Sequence, residues 1–368
     1  MPLFLLAVGY LFFMLSNAGS LSNNKQPPSS YMNESETEIR AAYKTLSTKD
    51  QAVYTALYRG VANFEEHIDL PYTLDENDYE RIYLIFEKNE PEFFYLSSSF
   101  YNANKVTTAK VAYQTNKDSA VTMRDELETV RDRVLRGTSN CITDFDKALY
   151  IHDYIIDNCV YSLNGSENIS NAYGCLVEGK ALCEGYAKGF SYLLNAVGIE
   201  NIIITGTTHE NELHAWNQIK IDGKWYNSDI TWNDDDDSND IGRYGARHVY
   251  FACDDKSFGQ THFADAKFLK KFECNVANLY YKTKDLYVSD MSECERILKK
   301  ELKISGMGRL IELQFADEAN YGDFVRTCIK EELIFNYLKN NDFSILPNAN
   351  NLIWSEYEKQ LCVLMVLL

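Results

Sequence analysis

The sequence has few basic residues for its acidic ones: 36 Lys and Arg stand against 54 Asp and Glu, giving a formal net charge of −18. Nucleic acids and anionic membrane surfaces bind clustered Lys and Arg, which this composition does not offer. We therefore expect no nucleic-acid partner and no membrane binding beyond an N-terminal anchor. The nine cysteines include no Cys-x-x-Cys pair, which argues against a zinc site, and no cofactor is expected.

A basic residue is also missing ahead of the apolar N-terminal segment from Leu3 to Leu15. This segment is shorter than the ~20 residues that a membrane-spanning helix needs. It is followed by Ser-Asn-Ala, which is typical of a secretory signal peptide with cleavage near Ala18. Residues 1–18 are thus predicted to be a signal peptide, and the protein is expected to be secreted or on the cell surface. The alternatives are an uncleaved membrane anchor and a buried N-terminal segment.

The composition, 45% hydrophobic and 24% charged, is ordinary for a globular protein, and 368 residues leave room for two or three domains. The polar segment 19–38 has no periodic pattern and is predicted to be a linker. Alternating helical and strand-like stretches predict an α+β accessory domain over 39–136 and a small α/β domain over 256–368. In the latter, residues 278–288 are predicted to form a strand. Residues 137–255 make up the predicted central domain.

The central domain has a cysteine at the predicted start of a helix. After Cys183, apolar residues recur at steps of three and four positions, and Gly198 is a signal for the helix end. The partial positive charge at a helix N-terminus favours the thiolate, which is the nucleophilic form of cysteine. The N–H of Cys183 can also point at a developing oxyanion. The apolar face consists of Tyr186, Phe190, Leu193, Leu194 and Val197.

A β-hairpin is predicted downstream, where HAWNQIKI and KWYNSDIT are separated by Asp222-Gly223. This dipeptide is a strong signal for a two-residue type I′ turn. The turn pairs Ile221 with Lys224. Counting back along both strands then places Trp216 opposite Asp229 and His214 opposite Thr231.

This register predicts that His214 and Asp229 project from one face as diagonal neighbours, about 7 Å apart. A carboxylate so placed orients an imidazole and stabilises its protonated form, while the imidazole acts on Cys183 as base and then as acid. A lone Cys, His or Asp is as often a core or surface residue. All three together, with a helix start and a hairpin register, favour a catalytic site.

The same residues carry a family resemblance. GKALCEGYAKGF and ELHAWNQIKIDGKWYNSDITW, with ALYIHDYIIDNCVY upstream, resemble the transglutaminase-like superfamily of papain-type thiol enzymes over about residues 140–255. The resemblance implies an α+β fold, with a catalytic helix packed on an antiparallel sheet. It also implies that Cys183 is the nucleophile, His214 the general base and Asp229 the orienting acid. The substrate is not implied, because the superfamily includes transamidases, peptidases, deglycosylating amidases and inactive members.

Three functions follow as hypotheses. The first, which we predict, is a cysteine-peptidase-like hydrolase acting on amide bonds of peptides or proteins. The second is a protein cross-linking transamidase that uses the same triad and resolves the acyl-enzyme with an amine. The choice depends on whether an acceptor channel admits lysine and excludes water. The third is a catalytically silent adhesion or scaffold module, against which the intact set of Cys, His and Asp argues.

The surroundings of the triad suggest what enters it. Trp216 and Trp232 lie near His214 and Asp229 in the predicted hairpin, where they either hold an extended chain or pack into the core. Because acidic residues prevail in the central domain, we expect a neutral or basic peptide or protein substrate. The acidic run after Trp232 lacks the ligand spacing of an EF-hand, so a solvated loop is favoured over a calcium site. The residues concerned are Asp234, Asp235, Asp236 and Asp237.

His152 lies on the apolar face of another predicted helix, which should back the catalytic one. A hydrogen-bonded structural histidine is favoured there over a ligand. If the protein is exported, the eight cysteines besides Cys183 can form disulfides, although the sequence assigns no pair. Free buried thiols are the alternative.

Overall fold

The computed structural model describes residues 39–100, 105–234, 241–265, 269, 271–305, 308–331, 334 and 351–368. The predicted signal peptide and linker lie outside these ranges, as do Asp235, Asp236 and Asp237, so these assignments stay predictions. Across the described ranges, no helix has the length and apolar character needed to cross a membrane.

The described residues up to Glu126 belong to one compact unit, together with Leu269. In chain order its elements are α1 (Ala41–Lys44), α2 (Thr48–Ala62), β1 (His67–Leu74), α3 (Glu76–Asn89), β2 (Leu96–Phe100) and β3 (Val106–Tyr113). The strands form an antiparallel sheet in the order β1-β3-β2. Ser47 begins α2 and Asp75 begins α3, because each side chain accepts a hydrogen bond from a backbone N–H of the first turn.

Helix α4 (Lys117–Gly137) leads into the second unit, which starts at Leu127. The elements that follow, up to the end of the central sheet, are α5 (Asp144–Asn158), β4 (Val160–Tyr161), β5 (Lys180–Ala181), α6 (Cys183–Ala196), β6 (Asn201–Thr208), β7 (Leu213–Ile221), β8 (Lys224–Ser228), α7 (Ile230–Asn233), α8 (Asp255–Phe258) and β9 (His262–Ala264). Strands β8-β7-β6-β9 form an antiparallel sheet in that order, and β4 pairs with β5 in parallel.

Helix α6 begins at Cys183, as the apolar spacing predicts, and ends at Ala196. Gly198 follows with a φ of +78°, a left-handed conformation that favours glycine and stops the helix. Helix α6 packs against β6, β7 and α5. The predicted apolar face is buried at Tyr186, Phe190, Leu193 and Leu194. The predicted layer of a helix on an antiparallel sheet is therefore present.

The turn between β7 and β8 has the predicted two residues, Asp222 and Gly223, with φ of 49° and 77°. Ile221 pairs with Lys224, so the predicted register is confirmed at the turn. The far end of the hairpin differs from the prediction, because β8 stops at Ser228 and the short helix α7 follows. The backbone N–H of Asp229 donates to the carbonyl of Tyr250 rather than to β7, at 2.9 Å.

The C-terminal part of the second unit contains α9 (Leu279–Thr283), β10 (Tyr287–Val288), α10 (Met291–Ser305), β11 (Leu310–Phe315), α11 (Glu318–Phe324), β12 (Leu352–Tyr357) and β13 (Cys362–Leu367). Its strands form a sheet in the order β10-β11-β13-β12. The strand predicted over 278–288 is wrong for most of its length, because Tyr280 and Tyr281 are both buried on a helical turn. The domain boundaries stay a prediction.

All nine cysteines are described, and all are free thiols. The alternative of free thiols therefore describes this structure, and five of the nine are buried. The described residues have the predicted α+β architecture, with a helix-on-sheet core in the second unit.

Candidate active site

Cys183 occupies the first position of α6 and is half-buried. Its side chain packs against Ala187, Ile203 and Ala215, which form a small apolar cluster between the helix and the sheet. A helix leaves its first N–H groups without partners inside the helix, so the thiol stands at a positively polarised end. The chain before it is fixed by the N–H of Leu182, which donates to the carbonyl of Ile169 at 2.8 Å.

The first turn of α6 is packed closely by that preceding chain, and this explains the glycine two residues after the cysteine. A Cβ at Gly185 would lie 2.6 Å from the carbonyl oxygen of Ile169 and 2.8 Å from the Cβ of Ala181. Only a residue without a side chain lets the loop approach so closely. The Cys-Glu-Gly sequence thus supplies the nucleophile and the glycine that lets the preceding loop pack against the first turn of α6.

His214 and Asp229 are in contact as predicted, but not through the predicted ladder, because the pairing of β7 with β8 ends at Asn217 and Ser228. Nε2 of His214 lies 2.7 Å from Oδ2 of Asp229, and both side chains are buried. The other oxygen of Asp229, Oδ1, accepts the backbone N–H of Trp232 at 3.3 Å and so begins helix α7. The carboxylate is therefore held by the backbone as well as by the imidazole.

Electrostatics favour an imidazolium at this position. Burial alone would lower the pKa of His214, but the charge and hydrogen bond of Asp229, together with a hydrogen bond to Cys183, raise the pKa to about 10. Because Nε2 faces Asp229, Nδ1 is the ring nitrogen left for the thiol. His214 is thus coupled electrostatically to both Cys183 and Asp229, as proton transfer requires.

A second histidine, His262 on strand β9, also reaches Asp229. Its Nε2 lies 3.0 Å from Oδ2, the same oxygen that His214 contacts. Burial opposes ionisation of Asp229, but the charges and hydrogen bonds of the two imidazoles hold its pKa well below the usual range. Sequence reasoning missed His262, because it lies on a three-residue edge strand whose pairing with β6 no local pattern specifies.

The two tryptophans are placed differently. Trp216 is only 3% exposed, and its ring packs against Phe258 and His262 with centroid distances of 5.8 and 5.3 Å. Trp216 therefore packs in the core behind His214 and does not line an open groove. Of the two alternatives stated for this residue, core packing is the one observed. Trp232 is half-buried, with its ring 5.7 Å from that of His214.

A further cluster behind the site joins helix α5 to the C-terminal sheet. Oδ1 of Asp153 faces Nδ1 of His152 and Nε2 of His248, each at 2.9 Å. The other nitrogen of His152 accepts from the amide of Asn233 at 2.9 Å, and the other nitrogen of His248 meets Glu312 at 2.7 Å. The prediction of a hydrogen-bonded structural histidine at His152 is confirmed by these contacts.

Two groups of described residues bring metal-ligating atoms within 4.8 Å of one another. They are His152, Asp153 and His248, and His214, Asp229 and His262. In both groups the carboxylate already accepts hydrogen bonds from two imidazoles, which accounts for the clustering without an ion. Of the predicted calcium residues only Asp234 is described, and its carboxylate accepts the hydroxyl of Tyr186.

Comparison with known proteins places this site in a family. Residues 131–230 match the family profile described as "Transglutaminase-like superfamily". No curated protein matches the chain significantly.

Among solved structures, similarity is found to "a Putative Cysteine Protease from Cytophaga hutchinsonii", with 17% identity, 34% of this chain and 51% of that chain covered, and a TM-score of 0.27. A second, described as "a TGase", has 16% identity, 45% and 50% coverage and a TM-score of 0.28. The present chain spans about half the length of these two proteins. The family match includes Cys183, His214 and Asp229, and the chain contains a domain of the transglutaminase-like superfamily.

Proposed function

We propose that this protein is a thiol-dependent hydrolase that cleaves amide bonds in peptides or proteins. One observation carries the proposal: His214 is hydrogen bonded to Asp229 at 2.7 Å, and both Asp229 and Cys183 act to raise its pKa. A thiol at a helix N-terminus, an imidazole in contact with it and a carboxylate behind the imidazole together supply nucleophile, proton carrier and orienting charge.

The reaction follows from these roles. His214 holds the proton as an imidazolium, and the thiolate Sγ of Cys183 attacks the carbonyl carbon to give a tetrahedral oxyanion. The C–N bond breaks as the imidazolium of His214 gives its proton to the leaving nitrogen, which leaves a thioester on Cys183. Water then loses a proton to His214 and attacks the thioester, which releases the acid product and restores the Cys183 thiolate beside the His214 imidazolium. Asp229 stays ionised throughout and stabilises the imidazolium.

An exposed apolar pair near the thiol supports a peptide substrate. Leu213 and Phe263 both pair with Thr207, so the three residues share one row and one face of the sheet. Ala215, two residues along β7 on the same face, packs against Cys183. Leu213 is 65% and Phe263 50% exposed, so the row presents two neighbouring large apolar side chains to solvent. We infer that this row contacts an apolar side chain near the scissile bond.

The net charge of −18 further supports a neutral or basic substrate, captured faster at low salt. The N-terminal apolar segment supports export, so the substrate would be met outside the cell or at its surface. N-terminal sequencing of the protein recovered from medium, membrane and cell interior tests the export part. Recovery only from the cell interior, with Met1 retained, would refute it.

The deciding experiment is a proteomic screen that compares wild type with Cys183→Ala and scores new peptide termini and new isopeptide bonds separately. Hydrolysis predicts new termini that depend on Cys183. Cysteine-dependent isopeptide bonds would instead identify the transamidase, and no difference between the two proteins would favour the scaffold. Cys141→Ala is a matched control, since Cys141 is also a half-buried free thiol but lies outside the triad.

A further inference from the structure

The carboxylate of Asp229 is shared by two imidazoles. Its Oδ2 lies 2.7 Å from Nε2 of His214 and 3.0 Å from Nε2 of His262, and the two rings are 5.5 Å apart. The side chain of His262 is fully buried, and that of Asp229 is 1% exposed. A buried carboxylate needs donors to stay ionised, and His262 supplies one that the mechanism above does not use.

The neighbours of His262 determine which nitrogen carries its proton. Nε2 faces a carboxylate oxygen of Asp229, which can only accept, so Nε2 carries a ring proton that points at Asp229. Nδ1 lies 2.8 Å from Oγ1 of Thr261, whose hydroxyl donates to the carbonyl of Phe258 at 3.2 Å. Burial and the charge of His214 both lower the pKa of His262, so this ring is neutral. His262 therefore gives Asp229 a hydrogen bond without adding a second positive charge beside His214.

The ring of His262 is also held rigidly. It stacks on Phe258 with a centroid distance of 3.9 Å, and the rings of Trp232 and Tyr250 lie 4.5 and 5.6 Å away. Its backbone is fixed in the sheet, where His262 pairs with Thr208. A donor fixed in this way restricts rotation of the carboxylate that it contacts.

We propose that His262 is a positioning residue of the thiol site, whose Nε2–H keeps the carboxylate of Asp229 ionised and directed at His214. This inference rests on the proposed function for its consequence in catalysis, but its physical content is a property of Asp229. The other titratable groups near Asp229 are His214, with Cys183 behind it, and Tyr250 and Cys253. Burial raises the pKa of Tyr250 and of Cys253, so both stay neutral as Asp229 titrates.

The test compares His262→Leu, which removes the donor, with His262→Gln, whose amide nitrogen keeps a donor at the reach of Nε2. Two readouts are needed: titration of the Asp229 carboxyl carbon by NMR, and the pH dependence of Cys183 alkylation by iodoacetamide. In the Leu variant the pKa of Asp229 should rise by about one to two pH units, because the ionised form loses a hydrogen bond. The rate of Cys183 alkylation should fall as well, because the carboxylate then holds His214 less firmly in one orientation.

The Gln variant should stay close to wild type in both readouts. Thr261→Val, which removes the hydroxyl that contacts Nδ1 and so loosens the ring, should shift both in the same direction as Leu but by less. A thermal melt of each variant separates this effect from packing, because a purely structural role lowers the melting temperature without moving the Asp229 titration. Should the Leu variant fail to fold, the Val variant decides by the same readouts.

Equal shifts in the Leu and Gln variants, or no shift in the Leu and Val variants, would overturn the inference. The proposed function fails by a different result, namely a wild-type Cys183 that iodoacetamide labels no faster than the other half-buried thiols. The titration of Asp229 does not depend on that reactivity, so it still decides the role of His262.

Discussion

The carboxylate of Asp229 gives the sharpest test of the triad. Asp229→Asn keeps the size of the side chain but removes its charge, and the amide cannot satisfy its surroundings. If its oxygen faces the two imidazoles, its NH₂ faces the N–H of Trp232, and the reverse orientation sets the NH₂ against His214 and His262. In either orientation a buried donor loses its acceptor.

The magnitude follows from the imidazole. Asp229 and Cys183 raise the pKa of His214 from an ordinary 6.5 to about 10 against the effect of burial. This net difference corresponds to on the order of 5 kcal/mol at 1.36 kcal/mol per pH unit, and Asp229 and Cys183 together supply it against the cost of burial. Without the carboxylate, burial dominates and His214 is neutral at pH 7. We expect hydrolysis to fall by about 10³ to 10⁴, as in triads of the serine type.

The assay measures peptide hydrolysis and Cys183 alkylation from mildly acidic to mildly alkaline pH. Asp222→Asn is the matched control, since Asp222 is an exposed turn residue of the same hairpin and Asn-Gly suits the same turn. The control should behave as wild type, whereas Asp229→Asn should lose alkylation at acidic pH. Equal rates in Asp229→Asn and wild type would refute the triad.

Three further outcomes are expected. Gly223→Ala should lower the free energy of unfolding by about 1–2 kcal/mol in urea titrations, because the φ of +77° strains a residue with a Cβ, and an unchanged midpoint would contradict the turn assignment. Burial lowers the pKa of His248, but Glu312 and Asp153 raise it to about 9. The stabilisation that the protonated His248 gives the folded state is therefore complete below about pH 6.5 and is lost as the pH rises through about 9. Glu312→Gln should therefore cost on the order of 2 kcal/mol at pH 6 and little above pH 9, whereas a cost independent of pH would count against this ion pair. Leu213→Ser should lower kcat/KM about tenfold for peptides with an apolar residue beside the scissile bond, with Cys183 alkylation unchanged, and an equal loss for all peptides would disprove selective contact.

The cluster around His248 explains why the C-terminal sheet belongs to the same unit as the thiol site. Both ring nitrogens of His248 face carboxylates, Asp153 on α5 and Glu312 on β11, and its ring stacks on Tyr280 at 4.1 Å. Asp153 in turn contacts His152, whose other nitrogen reaches Asn233 at the end of α7. A chain of hydrogen bonds thus links Glu312 in the C-terminal sheet to Asn233, which lies shortly after Asp229.

The sequence by itself determined the features that depend on neighbours along the chain. The start of α6 at Cys183 follows from the spacing of its apolar residues, and the end near Gly198 follows from a glycine with positive φ. The register of β7 and β8 follows from the Asp-Gly turn, which places His214 on the face that Asp229 approaches. In each case the interaction that decides the conformation spans only a few residues, so a local pattern specifies it.

Only the tertiary structure decided which distant residues meet at the site. His262 is 33 residues from Asp229, and Glu312 is 64 residues from His248. No periodicity connects such pairs, because their contact depends on how β9 and β11 are ordered in their sheets. The same reason explains the hairpin end, where Asp229 leaves the ladder to bond with Tyr250, and the floor of the site, where Phe258 and His262 cover Trp216. At these positions the conformation is decided by hydrogen bonds and packing between distant residues, which form only once the chain has folded, and not by local strand preference.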